Sequence, residues 1–282
     1  MSVTVFYFSA TGNSMHVAKS IAGKLPECSL VSIAGLRKVE EVIVKTEGIG
    51  FVFPTHYFGL PPIVREFITK INLKQTTYSF AVVTSGSSQH LNSALTQAAG
   101  LLKQKGLSLN AGFHVNMISS YLPLSALPPE RKMQAKLARA DEKVQQITSA
   151  VLAQQSILES EHFWRPFASI NQYWRSHLLP QSHQKFYATD ACVSCGSCEK
   201  ICPVANIRIE QHKPQWQNHC QECLACLHAC PVQSIEFGSR TAGKRRYRHP
   251  KIAVADIIAA KESQSDIGKV SEQISECCYE QR

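Results

Sequence analysis

Residues 3–14 read Val-Thr-Val-Phe-Tyr-Phe-Ser-Ala-Thr-Gly-Asn-Ser, which joins a short apolar run to a loop of small polar residues. The run from Val3 to Phe8 is nearly continuous in apolar and β-branched residues, as is typical of a parallel strand covered on both faces. A helical stretch from about Met15 to Lys24 follows the loop. The order strand, loop, helix predicts the first unit of an α/β fold.

The same theme is repeated as far as residue 117. Further apolar runs lie at 30–33, 49–53, 80–84 and 112–117, and helical candidates lie at about 63–71 and 91–105. Five strands with helices between them predict a doubly wound, five-stranded parallel sheet. The ligand crevice of such a sheet lies beyond the carboxyl ends of its strands.

Three loops are expected to meet at that crevice. Residues 9–14 join a strand to a helix, so their backbone N–H groups and hydroxyls can bind a phosphate. This loop lacks the Gly-Lys pair of a Walker A loop, so nucleotide triphosphate hydrolysis is not expected. Residues 54–62 carry aromatic side chains that could stack on a flat ring or pack within their own loop. Residues 84–90 are small and include a glycine, which lets the backbone approach a heterocycle.

Eight of the eleven cysteines form two copies of the spacing Cys-x2-Cys-x2-Cys-x3-Cys-Pro. This is the bacterial pattern for two [4Fe–4S] clusters, and in the usual arrangement the fourth cysteine of each run ligates the other cluster. One cluster is then expected to take Cys192, Cys195, Cys198 and Cys230, and the other Cys220, Cys223, Cys226 and Cys202.

Zinc and disulfides are the alternatives for these cysteines. Zinc sites usually combine two separated pairs, whereas each run here is a triplet followed by Cys-Pro. Disulfides belong to exported proteins, and the first residues show no signal-peptide pattern. We therefore expect a cytoplasmic protein with iron–sulfur clusters.

Length and charge bound the remaining possibilities. A chain of 282 residues has room for about two domains. The sequence contains no run of eighteen apolar residues, so no membrane span is expected. The net charge is +9, and the cysteine-bearing segment 190–237 is the only net acidic part. The basic remainder favours an acidic redox partner protein or an acidic substrate. Nucleic acid is not expected, because the charges are dispersed and the recognisable binding modules are missing.

Three segments outside these motifs carry expectations of their own. The apolar spacing at 129–156 predicts one long amphipathic helix, and residues 119–128 before it form a loop that could lie over a bound ring. Residues 161–187 hold seven aromatics and are expected to dock the two domains or to bind a partner. Six basic residues within 240–251 could contact an acidic partner, cap the acidic cluster segment or be solvated. A short helix is expected at 252–261, and Cys28, Cys277 and Cys278 are expected to be free thiols without assigned chemistry.

The first loop and the helix after it resemble the FMN-phosphate loop of flavodoxins, and residues 54–62 and 84–90 resemble the segments that flank the isoalloxazine ring there. With the double cysteine run, the chain is similar to the flavodoxin–ferredoxin fusion proteins found mainly in anaerobic bacteria and archaea. The resemblance covers about residues 1–120 and 188–238. It implies that FMN binds through Ser9, Thr11, Gly12, Asn13 and Ser14 at the phosphate, and through Thr55, Tyr57, Phe58, Gly59, Thr84, Ser85 and Gly86 around the ring.

The chain departs from the carrier flavodoxins in two respects. Those proteins are acidic and usually stack an aromatic on each face of the flavin, whereas this domain is basic and its third loop has no aromatic. One face of the flavin is therefore expected to be open or covered by the other domain. His56 and His90 could donate protons there, or they are surface histidines.

These observations predict four regions. They are a flavodoxin-like FMN-binding domain at 1–158, an aromatic connector at 159–187, a ferredoxin-type domain with two clusters at 188–238 and a basic tail at 239–282. The expected function is electron transfer between the clusters and FMN. The alternative is an FMN-dependent reductase of a small organic substrate fed by its own clusters, and a third reading is an iron–sulfur sensor whose basic tail binds nucleic acid.

Overall fold

The computed structural model describes residues 1–162 and 164–263, and its first half is built on a parallel sheet. The strands are β1 (Ser2–Tyr7), β2 (Glu27–Ser32), β3 (Val42–Val44), β4 (Gly48–Pro54), β5 (Ile71–Leu73), β6 (Tyr78–Ser85) and β7 (Ala111–Asn116), and the helices are α1 (Asn13–Ala22), α2 (Pro62–Lys70), α3 (Ala94–Gln104) and α4 (Glu130–Leu152). Five strands form one parallel sheet in the order β2-β1-β4-β6-β7. The predicted five-stranded α/β fold is confirmed, and the short β3 and β5 pair separately beside it.

Helices cover both faces of this sheet, which explains the continuous apolar runs of its strands. Val3, Val5 and Tyr7 of β1 pack with α1 and α4 in one cluster of buried residues. Phe6 and Phe8 point to the opposite face and pack with α2 and α3. A strand with one solvated face would alternate apolar and polar residues instead.

The long helix predicted at 129–156 is α4, and it packs as the last helix on the parallel sheet. Ala140, Val144, Ile147 and Val151 lie buried against the β1 side of the sheet. The loop before α4 is anchored by Leu122, which is fully buried, whereas Leu124 is 68% exposed.

The connector is helical, which the sequence did not predict. Helix α5 (Trp164–Tyr173) continues into a π-helical turn (Trp174–Leu178) and a 3-10 segment (Leu179–Lys185). Its ordered packing agrees with the expectation that the segment docks the two domains: the Phe167 ring lies 5.0 Å from the Phe58 ring, and Trp174 is 1% exposed. Phe163 lies outside the described residues.

The cysteine-bearing part is small and compactly paired. It contains β8 (Phe186–Ala188), α6 (Ser197–Ile201), β9 (Ile207–Glu210), β10 (Lys213–Trp216), α7 (Ala225–Ala229) and β11 (Ile235–Phe237), and α8 (Val254–Glu262) follows. Strand β8 pairs antiparallel with β11, and β9 pairs with β10. Phe186, Leu227 and Phe237 belong to the same apolar cluster as the α2 side of the large sheet, so the two parts share one continuous core.

Helix α8 confirms the short helix expected at 252–261, and Cys277 and Cys278 lie outside the described residues. Over residues 1–162 and 164–263, no helix has the length and apolar character needed to cross a bilayer.

Candidate functional site

A cavity of about 390 Å³ opens beyond the carboxyl ends of β1, β4 and β6, where the crevice was expected. Its volume is in the range of small-molecule sites. Ten of the twelve residues predicted around FMN line it: Ser9, Thr11, Asn13, Ser14, Thr55, Tyr57, Phe58, Thr84, Ser85 and Gly86. Gly12 and Gly59 lie outside the lining, and both shape the loops that form it.

The loop after β1 is arranged for an anion. Gly12 is the N-cap of α1 with φ 94°, no side chain caps the helix, and its first turn contains no acidic residue. The N–H groups of that turn are therefore available to a ligand at the positive end of the helix. Ser9 Oγ accepts the Gly12 N–H at 3.1 Å, and Thr11 adds a hydroxyl to the lining. The loop fits the phosphate of FMN.

The side-chain amide of Asn13 already has hydrogen-bond partners within the protein at both its nitrogen and its oxygen. Asn13 Nδ2 donates to the Ile118 carbonyl at 3.0 Å, and Asn13 Oδ1 accepts the Tyr247 hydroxyl at 2.6 Å. Ser14 Oγ is likewise 2.7 Å from Thr84 Oγ1. The contribution of Asn13 to an anion is thus its backbone N–H at the start of α1.

The second loop presents its aromatics through an unusual turn. His56 and Gly59 exchange backbone hydrogen bonds of 2.9 and 3.0 Å, and the two residues between them have positive φ, 45° at Tyr57 and 62° at Phe58. Bulky side chains rarely adopt this left-handed conformation, and such strain often marks functional sites. The turn directs the Tyr57 ring onto Trp174, with centroids 4.7 Å apart and planes 9° apart.

Gly59 lets the connector approach this turn. A Cβ atom at Gly59 would lie 2.3 Å from the side chain of Asn171, which is fully buried and donates from Nδ2 to the His56 carbonyl at 2.8 Å. The Pro54 to Pro62 loop is therefore fixed from outside by the connector.

The cysteine-bearing part supplies one wall of the cavity. Glu222, Cys223 and Leu224 line it together with Tyr121 and Trp174. The cysteine-bearing part therefore contributes to the lining of the cavity, alongside the third loop, which has no aromatic. Tyr121 belongs to the loop 119–128, which was expected to lie over a bound ring, and Trp174 belongs to the aromatic connector. The sequence did not single out Glu222 or Leu224, because they reach the cavity from a distant part of the chain.

A row of hydrogen bonds connects two of the loops to this wall. The Tyr57 and Tyr121 hydroxyls lie 3.0 Å apart, and Tyr121 donates to Glu222 Oε1 at 2.5 Å. Burial raises the pKa of Tyr121, and the neighbouring Glu222 carboxyl raises it further. Burial also raises the pKa of Glu222. The row fixes Tyr57 and Tyr121 in place beside Cys223.

The two candidate histidines differ in position. His56 lines the cavity, with its ring 5.8 Å from Phe8 and 6.4 Å from Trp174, and burial lowers its pKa to about 4. It is therefore neutral at pH 7 and is not a solvated surface histidine. His90 is stacked on His162 at 4.9 Å and does not line the cavity.

The eight run cysteines fall into two groups, as the spacing predicts. Cys192, Cys195, Cys198 and Cys230 line one small cavity, and Cys202, Cys220, Cys223 and Cys226 line another. Burial raises the pKa of Cys198 to about 11, and Cys195 and Cys230 add to the effect as electrostatic neighbours. None of the nine cysteines in the described part forms a disulfide. Four thiols around each cavity fit one cubane, which takes one thiolate at each iron.

The spacing of the cysteines favours clusters over a single bound ion. Within residues 1–162 and 164–263, no three His, Cys, Asp or Glu side chains come close enough to share one metal ion. The ligands of a cubane stand at separate corners and do not need to meet at one point.

The two groups of cysteines differ in whether they line the cavity beyond the sheet. Cys223 of the second group lines that cavity itself. In the first group Cys195 is exposed, and Val193, which lines the same small cavity, is 61% exposed. One cysteine of the first group thus reaches the surface, and only the second group contributes a cysteine to the cavity.

Two family models match two separate parts of the chain. Residues 4–117 match the model of a flavodoxin domain, and residues 186–208 match the model of a 4Fe-4S binding domain. The chain thus joins a flavodoxin domain to a ferredoxin-type domain, and it has a redox role that combines flavin and iron–sulfur chemistry. The comparison with curated proteins gave no match.

Several solved structures are similar to the chain over about half of its length. An azoreductase from Bacillus anthracis str. Sterne is 10% identical with a TM-score of 0.37, over 52% of this chain and 99% of that one. The Trp repressor binding protein from Bacillus subtilis is 11% identical with a TM-score of 0.34, over 50% and 96%. An NAD(P)H:quinone oxidoreductase from Methanothermobacter marburgensis is 7% identical with a TM-score of 0.33, over 52% and 96%. At these TM-scores the likenesses add nothing to the functional argument.

Proposed function

We propose that the protein relays electrons between two [4Fe–4S] clusters and one FMN. The observation that carries the proposal is the position of Cys223, which belongs to the second cysteine run and lines the same cavity as the loop 9–14. A cluster on Cys202, Cys220, Cys223 and Cys226 would border the flavin. Cysteines that must stay reduced to hold clusters also suit a cytoplasmic location.

The proposed relay has an order, from the protein surface to the flavin. When bound, FMN exchanges one or two electrons and each cluster exchanges one, so the pair converts between the two kinds of chemistry. The group that contains the exposed Cys195 is the proposed entry point for electrons from a redox partner protein, and Val193 and Val232, 61% and 41% exposed, give it an apolar rim. The group around Cys223 connects that entry point to the cavity.

The test begins with the cofactor content of protein purified without oxygen. The proposal expects about eight iron atoms and one FMN per chain. Eight iron atoms with no flavin, under conditions in which added FMN also fails to bind, would overturn it. Four iron atoms would overturn the two-cluster relay but not the division into two domains.

A reductase of a small organic substrate is the second candidate. Leu124 favours it, because this residue lines the cavity and is 68% exposed, so the cavity reaches the surface beside the flavin loops. A screen of small organic acceptors against the reduced protein separates the two candidates. A relay reduces only protein or artificial acceptors, whereas a reductase turns over at least one small molecule.

A further inference from the structure

The basic run is engaged within the chain and crosses the flavodoxin-like domain. Residues 244–252, here called the strap, leave the cysteine-bearing part and end at α1. Four of the six basic residues of 240–251 bond to other residues of the chain: Lys244, Arg245, Arg246 and Lys251. The Arg246–Glu236 ion pair at 2.8 Å is largely buried and fixes the start of the strap to β11.

The far end of the strap lies against the outer side of the phosphate loop. The Tyr247 hydroxyl donates to Asn13 Oδ1 at 2.6 Å, and the His249 N–H donates to the Thr11 carbonyl at 2.9 Å. A Cβ atom at Gly12 would lie 2.9 Å from Ile252 Cβ. Three consecutive residues of the loop, 11 to 13, are thus in contact with the strap.

The near end of the strap contacts the loop on the ring side of the cavity. Lys244 Nζ donates to the Leu122 carbonyl at 2.6 Å and to the Ser125 carbonyl at 3.2 Å. His228 of α7 links the same two segments: its Nδ1 accepts the Tyr247 N–H at 3.1 Å, and its Nε2 donates to the Ser120 carbonyl at 2.8 Å. Ser120 and Ser125 both line the cavity.

We propose that the strap closes the flavin site from outside, with Tyr247 as the positioning residue for the phosphate loop and Lys244 as the positioning residue for the ring-side loop. The inference rests on the proposed binding of FMN. Asn13 is the first residue of α1, so a fixed Asn13 side chain also fixes the N–H groups at the helix start. Tyr247 acts on the phosphate without touching it.

The test compares FMN with riboflavin, which lacks the phosphate. Tyr247→Phe removes only the hydroxyl, and it should weaken FMN binding about tenfold, the size expected for one lost buried hydrogen bond, while riboflavin affinity stays unchanged. Dissociation constants are measured by quenching of flavin fluorescence on the full chain, at iron contents equal to the parent. Tyr187→Phe, at a tyrosine that is 46% exposed on β8, is the matched control and should bind both flavins like the parent.

Lys244→Met tests the other end independently. It should weaken FMN and riboflavin by the same factor, because its contacts lie on the ring side. Unchanged FMN affinity in both variants would overturn the strap proposal, and so would an equal loss of both flavins in Tyr247→Phe, which would indicate a general structural effect. Failure of the parent itself to bind either flavin would instead overturn the proposed function.

Discussion

Gly12 combines two constraints at one residue. Its φ of 94° is strained for any residue with a side chain, and a Cβ atom would lie within 3.0 Å of both Ile252 and His249. Gly12→Ala should therefore displace the phosphate loop from the strap and lower FMN affinity at least tenfold, by the loss of roughly 1.4 kcal/mol or more. Titration with FMN measures it.

A control for the same chemical change exists on α3. A Cβ atom at Gly100 would meet no other part of the described chain within 4 Å, and the residue lies within a helix. Gly100→Ala should therefore keep FMN affinity and raise stability by about 0.5–1 kcal/mol. Equal FMN affinity in the two glycine variants would show that the loop does not depend on Gly12.

His56 makes stability depend on pH. Burial lowers its pKa in the folded state to about 4, below the unfolded value of about 6.5, so the folded protein binds fewer protons. The stability it contributes is complete above pH 6.5 and is lost as the pH falls towards 4. Between pH 7 and pH 5 the loss should be about 2 kcal/mol.

Denaturant unfolding of the parent and of His56→Phe at both pH values measures this loss. The variant keeps an aromatic ring in the same contacts and should lose less stability than the parent on acidification. The same pH dependence in both proteins would mean that His56 is already protonated, or is exposed, in the folded state.

At the scale of elements, the connector docks through Trp174. This residue is 1% exposed and stacks on Tyr57, whereas Trp164 of the same segment is 38% exposed. Trp174→Ala should lower the free energy of unfolding by roughly 3–5 kcal/mol, as is typical when a buried aromatic is truncated. Trp164→Ala should lower it by less than about 1 kcal/mol. Thermal or denaturant unfolding compares them, and similar losses would contradict the docking role.

The elements also show how far the sequence alone could lead. The five strands and α4 were predicted because their signal is local: a strand covered on both faces is a continuous apolar run, and an amphipathic helix repeats at three and four residues. The cysteine groups were predicted for the same reason, since each triplet is closely spaced. Helix α5 was not predicted, because its buried residue, Asn171, bonds to a residue far away in the chain. That partner is His56, 115 positions before it.

Only part of the candidate site was predicted, again because local patterns carry the signal. The three loops were recognised from their composition and their places after strands, and ten of their twelve named residues line the cavity. The sequence did not predict that Glu222, Cys223 and Leu224 form a wall of the cavity, and it did not predict the strap. Their contacts join residues that are far apart in the chain, such as Lys244 and Leu122, which are 122 positions apart. No local pattern encodes such contacts.

At the scale of the whole molecule, substitutions in the two cysteine groups should affect electron transfer differently. Cys195→Ser should disrupt the surface cluster and slow reduction of the flavin by a protein donor, but leave electron exchange between the second cluster and the flavin. Cys223→Ser should disrupt the cluster next to the cavity and separate the flavin from the remaining cluster.

Stopped-flow reduction distinguishes the two variants when it is followed at flavin and cluster wavelengths with a protein donor and with a small-molecule reductant. Iron content should fall by about four atoms per chain in each variant. Equal flavin reduction rates in both variants, with either reductant, would contradict the order of surface, first cluster, second cluster and cavity.

The strap has a consequence for biosynthesis. The phosphate loop leaves the ribosome long before the strap, because Tyr247, whose hydroxyl bonds to Asn13, is translated 234 residues after it. The parallel sheet can fold during translation, but its nucleotide site stays open on one side until the iron–sulfur part and the strap have been synthesised. A nascent chain arrested before residue 240 should therefore release FMN faster than the completed protein.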